Sequence, residues 1–171
     1  MTENNEIDTL IEQVKKDLVD LLEQRGIKDP VMIGIHTGGV WIAQRLHESL
    51  GLQSELGIMD ISFYRDDFTK IGIHPQVQPT KLPFNIDDQH IILVDDVLHT
   101  GRTIRASMNE LFDYGRPASI MLVTLIERSG RELPIAASVV GKHLDLEPNQ
   151  HVKLTGPEPL QLVIQEGPDS A

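Results

Sequence analysis

Asp95 and Asp96 stand side by side after an apolar run, Ile91-Ile92-Leu93-Val94, and are followed by Val97-Leu98-His99-Thr100-Gly101-Arg102-Thr103. Two adjacent carboxylates can accept hydrogen bonds from sugar hydroxyls or hold Mg²⁺ through water. The residues after them can do complementary work. Gly101 permits a tight turn with close backbone approach, Thr100 and Thr103 offer hydroxyls, and Arg102 and Arg105 add positive charge. A helical pattern begins near residue 103. The first N–H groups of a helix have no internal partner and lie at the positive end of its dipole, which favours a phosphate monoester. Carboxylates beside such a cradle suit a phosphorylated sugar, a ribose 5-phosphate with its hydroxyls turned toward Asp95 and Asp96.

The elements that must position these groups are legible as periodicities. Ile7, Leu10, Ile11, Val14, Leu18, Leu21 and Leu22 recur at helical spacing over residues 6–25, and Gly26 stops the pattern. Val31–Ile35 reads as a short buried strand running into His36-Thr37-Gly38-Gly39, and Val40–Leu50 as a helix closed by Gly51. Residues 55–64 read as a strand. Residues 65–89, with Pro75, Pro79 and Pro83, show no period and are read as a mobile lid, with a β-hairpin as the alternative. A strand at 91–95, a helix at about 103–114 ended by Gly115 and Pro117, and a strand over 119–126 follow; Ala136–Val140 and Leu160–Gln165 look like short strands. Strands alternating with helices imply a parallel sheet with crossover connections. In such sheets ligands lie beyond the carboxyl ends of the strands, where the acid pair falls.

Bulk properties exclude several classes. At 171 residues the chain is expected to form one domain. It has no cysteine, so disulfides and thiolate metal sites are impossible. A net charge of −11 argues against a generic nucleic-acid binder. Between Arg116 and Lys153, however, the acidic excess disappears, and His143 and His151 are added. No apolar run is long enough to span a membrane, and Met1–Glu6 is polar and acidic rather than a secretory signal. The cytoplasm is the default expectation.

Residues Ile91–Thr103 resemble the signature by which type I phosphoribosyltransferases bind 5-phosphoribosyl 1-diphosphate (PRPP). Gly34–Val40, Asp60–Asp67, Val97–Ala106 and Arg131-Glu132-Leu133-Pro134-Ile135 extend the likeness. Together they resemble the pyrimidine-operon regulators that are also uracil phosphoribosyltransferases. The resemblance implies an α/β fold, a central parallel sheet flanked by helices, with a flexible loop and a small hood. It implies the Mg²⁺-dependent reaction of uracil with PRPP to give UMP and pyrophosphate. By position, Asp95 and Asp96 would be catalytic and would meet the metal through water or ribose hydroxyls. Val97, Leu98, His99, Thr100, Gly101, Arg102 and Thr103 would bind the 5′-phosphate, and Thr37, Gly38 and Gly39 the pyrophosphate. Arg128, Lys142 and Val152 would meet the nucleotide or base, and Tyr64, Arg65 and Asp66 would belong to the lid.

The chain departs from that pattern at several positions. Gly38 stands where arginine is typical, so a cationic contact to pyrophosphate is missing unless Arg65 or Lys70 replaces it. His99 stands where tyrosine is frequent. Gly130 and Ala136 stand where RNA-binding relatives carry histidine and arginine. The expectation is therefore a uracil phosphoribosyltransferase, homodimeric or homotetrameric, whose contact with a pyrimidine-operon mRNA leader is lost or altered. A non-enzymatic PRPP or UMP sensor is the alternative.

Overall fold

The computed structural model describes residues 3–61 and 80–167. Five strands form one parallel sheet: β1 (Val31–Ile35), β2 (Gly57–Met59), β3 (His90–Leu98), β4 (Ser119–Arg128) and β5 (Val139–Leu144), in the order β2-β1-β3-β4-β5. The helices are α1 (Glu3–Arg25), α2 (Gly38–Leu50) and α3 (Arg102–Tyr114). An antiparallel hairpin, β6 (Gln150–Thr155) with β7 (Gln161–Glu166), completes the described elements.

The strands are nearly continuous apolar runs because helices cover both faces. Along β3 the side chains alternate between two cores. Ile92 and Val94 pack with Ile7, Ile11, Val14, Leu18 and Leu22 of α1 and with Ile42, Ala43 and Leu46 of α2. Ile91 and Leu93 pack on the opposite face with Ile104 and Leu111 of α3. Each fully buried aliphatic side chain contributes about 1.5–3 kcal/mol, so the α1 stripe alone fixes that helix on the sheet. Leu154 and Leu160 of the hairpin drop into the same core as α1. Trp41 of α2 lies against the hairpin turn, within 3.1 Å of where a side chain on Gly156 would begin.

From β1 the chain moves outward to β2; from β3 it moves the other way to β4 and β5. The order reverses between β1 and β3, which is where an open α/β sheet opens a crevice. The loops after β1 and β3 both emerge there. Their helices come close to the strands at one decisive point. A Cβ on Gly39 would lie 2.5 Å from the Val94 carbonyl oxygen and 3.0 Å from Asp95 Cα.

Several expected boundaries shift. β3 extends to Leu98, so Asp95 and Asp96 lie within the strand rather than at its end; β4 runs alongside and pairs Val97 with Ile126 and Leu98 with Glu127. β2 is only three residues of the expected 55–64 strand, and residues 62–64 lie outside the described part. Of the expected 65–89 lid, residues 65–79 lie outside the described part, and the remainder is anchored at two points: Lys81 and Ile58 exchange backbone hydrogen bonds of 2.8 and 2.7 Å, and Ile86 is buried. The segment expected as a strand at 136–140 forms one later, at 139–144, and β6 is an additional strand.

Replacing Gly39 with alanine drives a methyl into β3 backbone that cannot yield. The expected loss is about 1–3 kcal/mol, or roughly 3–10 °C in Tm for a domain of this size, measured by thermal unfolding. Unchanged Tm would contradict the close approach.

Candidate active site

The acid pair is held by its own backbone. The N–H of Asp96 donates to Asp95 Oδ1 at 2.9 Å, and the N–H of Val97 donates to Asp96 Oδ1 at 2.9 Å. The register of β1 with β3 ends at Gly34 with Val94, so the carboxylates take over backbone donors just where that pairing stops. Asp95 is buried; Asp96 is half-buried. The Asp96 carboxylate fills the space a side chain at residue 38 would need, with Oδ2 2.4 Å from that Cβ position. Gly38 therefore keeps the loop after β1 and the acid pair in direct contact. An arginine there would first have to displace Asp96.

Two helix N-termini open toward this point. Thr37 precedes α2 and makes no side-chain cap; its Oγ1 instead lies 2.8 Å from His36 Nδ1, which in turn is 3.8 Å from the buried Asp60. Gly101 precedes α3 with φ +95°, a left-handed value that favours glycine, and itself offers no side chain to the helix. The Thr100 hydroxyl accepts the Arg102 N–H at 3.2 Å. Val97, Leu98, His99, Thr100, Gly101, Thr103 and Ile104 line a cavity of about 130 Å³ around this turn. Its size and its place at a helix N-terminus suit a single phosphate group.

A second cavity of about 290 Å³ adjoins it, sharing Val97, His99 and Thr103. Asp95 and Asp96 line one part of it; Arg128, His151, Val152 and Lys153 line another. Arg128, at the end of β4, is only 5% exposed. Its Nη1 donates to the Gln150 carbonyl at 2.7 Å and its Nε to the Ser129 carbonyl at 3.3 Å, joining sheet to hairpin. Burial lowers its pKa from the ordinary value. Burial also lowers the His99 pKa below the ordinary 6.5, followed by the Arg128 guanidinium; Glu132 opposes them, and His151 and Arg131 add smaller depressions. Gly130 makes room for that ring, since a Cβ there would sit 2.8 Å from His99 Nε2. The two departures at 99 and 130 are thus one local repacking.

The structure brings together Asp95, Asp96, Val97 to Gly101, Thr103, Thr37, Gly38, Gly39, Arg128 and Val152; the Arg102 side chain lines neither cavity and instead donates to Glu132 at 2.8 Å. The structure does not bring Lys142 there. Lys142 Nζ donates to Glu6 of α1 at 2.8 Å, and the residue does not line the cavity, because that part of β5 packs beside α1. Tyr64, Arg65 and Asp66, like Lys70, lie outside the described residues. His151 and Lys153 line the second cavity as well, although the sequence pattern does not single them out. Their signal was the locally raised basic content of the C-terminal third and the alternation around Val152.

A family model described as the phosphoribosyl transferase domain matches residues 3–154. The chain is 60% identical over 161 residues to the bifunctional protein PyrR of Nitrosococcus oceani, covering 93% of this chain and 91% of that protein. It is likewise 60% identical over 157 residues to the bifunctional protein PyrR of Pseudomonas fluorescens, covering 92% and 94%. Among solved structures it resembles the hypoxanthine phosphoribosyltransferase of Trypanosoma cruzi, with TM-score 0.70 at 21% identity over 97% of this chain and 95% of that one, a likeness of fold alone. A domain match over most of its length and 60% identity to two such relatives mean that the chain belongs to the phosphoribosyl transferase family and to its group of bifunctional PyrR proteins.

Proposed function

We propose that the chain transfers the phosphoribosyl group of PRPP to uracil, giving UMP and pyrophosphate, and couples occupancy of that site to control of pyrimidine genes. The observation that carries this reading is the contact between Gly38 and Asp96, which puts a backbone-lined loop, the acid pair and the phosphate cradle in one crevice. The 5′-phosphate sits in the Val97–Thr103 cradle and supplies remote binding energy for orientation. The ribose lies over Asp95 and Asp96. As the C1′–O bond to pyrophosphate breaks, the sugar gains oxocarbenium character, and fixed carboxylates stabilise that positive charge. A uracil nitrogen then bonds to C1′ and its proton leaves to solvent. Arg128, Val152 and the β6–β7 hairpin form the base side and its hood.

Among the described residues, no three His, Asp or Glu side chains are grouped to hold a metal ion. Mg²⁺ commonly binds one or two carboxylates, substrate phosphates and water, which fits Asp95 and Asp96 at the crevice. When bound, it neutralises charge on the departing diphosphate.

The regulatory half of the reading rests on the relatives. Direct contact with an RNA leader receives little electrostatic support from segment 129–136, where Gly130 and Ala136 carry no charge and the Arg131 guanidinium is bound within the protein. Gly38 favours a second reading, a PRPP- or UMP-sensing regulator without turnover. Assembly as a homodimer or homotetramer and a cytoplasmic location belong to the same proposal; no described helix is long and apolar enough to cross a membrane.

Purified protein incubated with PRPP, Mg²⁺ and separately uracil, orotate, hypoxanthine or guanine should form product with uracil alone. Asp95→Asn should lower turnover by about 100-fold. PRPP binding without product from any base would replace the enzyme with the sensor. In NMR titrations the His99 ring should titrate below 6.5 and return upward in Arg128→Gln. Well above pH 6.5 the His99 ring is neutral in both the folded and the unfolded state. As pH falls through 6.5 the unfolded state binds the proton first, so this residue destabilises the fold increasingly until the folded ring also protonates. A His99 midpoint above 6.5 would refute this assignment.

A further inference from the structure

The segment Arg131-Glu132-Leu133-Pro134-Ile135 has no direct place in the chemistry above. In space it backs the phosphate cradle. A loop that offers N–H groups to a phosphate must turn its carbonyl oxygens away, because an oxygen facing a phosphate dianion repels it. Here three successive carbonyls are all engaged. The His99 oxygen accepts from Arg131 Nη1 at 2.5 Å. The Thr100 oxygen accepts the N–H groups of Glu132 and Leu133 at 3.0 and 3.1 Å, and the Gly101 oxygen accepts the Arg105 N–H at 3.0 Å. The third bond belongs to α3 itself; the first two come from the 131–135 segment.

Arg131 fixes that segment as well as the loop. Its Nε donates to the Ile135 carbonyl at 2.8 Å, closing the segment on itself. Its Nη2 pairs with Glu127 near the end of β4, and Glu127 Oε2 lies 2.9 Å from His143 Nδ1 of β5. One planar guanidinium therefore spans the sheet, the segment and the cradle with all three nitrogens, a geometry an ammonium group cannot copy. Arg102 Nε donates to Glu132 at 2.8 Å on the outer side, and Ile135 packs 3.1 Å from where a side chain on Gly101 would begin.

We propose that Arg131 is a positioning residue for the 5′-phosphate: it holds the His99 carbonyl out of the cradle and docks the segment that does the same for Thr100. This inference rests on the reading of residues 97–103 as a phosphate site, not on turnover. The test is calorimetric binding of PRPP, ribose 5-phosphate and uridine to the full chain and to Arg131→Ala and Arg131→Lys, with Tm recorded for each. Loss of a charge-assisted hydrogen bond is expected to weaken both phosphorylated ligands about tenfold or more, with uridine within about twofold. Lysine keeps the charge and serves as the variant that preserves the fold. It should bind as poorly as alanine, because position rather than charge is lost.

Full rescue by lysine would make Arg131 a distant charge and overturn the proposal. Equal weakening of uridine, or no weakening of ribose 5-phosphate, would overturn it also, the first as a general structural defect. If the unaltered chain binds neither PRPP nor ribose 5-phosphate, the phosphate site itself is wrong and this inference falls with it. A chain that binds PRPP but makes no UMP sinks only the enzyme reading, and the two variants still decide the role of Arg131.

Discussion

The pairing of β1 with β3 is the constraint on which the site depends. It runs only from Val31 with Ile91 to Gly34 with Val94, yet it brings the two strand-to-helix loops side by side at the reversal of strand order. Gly39 allows α2 to start against the β3 backbone, and Gly38 leaves the gap that Asp96 fills. Had the helix started one turn farther from the sheet, its N–H groups and the acid pair would face different volumes. The chemistry therefore follows from backbone proximity more than from any long side chain.

Much of this was legible in the residues themselves. β1, β3 and β4 announce themselves because strands covered on both faces need uninterrupted apolar runs, and Gly26, Gly51 and Gly115 mark where helices stop. The parallel sheet and the acid-pair loop followed from that order. The exact end of β3 was not legible. Aspartate disfavours strands, and nothing local reveals that Asp95 and Asp96 would bind the backbone N–H groups of their own strand. β6 was missed because only Leu154 among its residues is deeply buried, so Gln150 to Thr155 shows little hydrophobic contrast. Lys142 misled for a different reason: its partner, Glu6, is 136 residues away in the chain. Long-range ion pairs leave no periodicity.

The division of labour across the crevice is also physical. The side carrying the acid pair is built from the sheet and from helix N-termini, which are held by the buried cores on both faces. The other side is a hairpin joined to the sheet through Arg128 and seated in the α1 core by Leu154 and Leu160. A buried guanidinium that donates to two carbonyls, rather than to a carboxylate, keeps its positive charge uncompensated by those contacts. It biases that wall toward electron-rich ligand atoms and depresses the neighbouring imidazole.

The seating of the hairpin has an optical consequence. The chain carries one tryptophan, and its indole rests on the turn between β6 and β7. That ring also lies on α2, two residues beyond Gly39. Its ultraviolet emission needs no attached dye and no subtraction of other indoles. A single fluorophore thus watches the junction where the hairpin beside Arg128 meets the helix that begins at the Thr37-Gly38-Gly39 loop, and its colour and intensity record how wet that junction is.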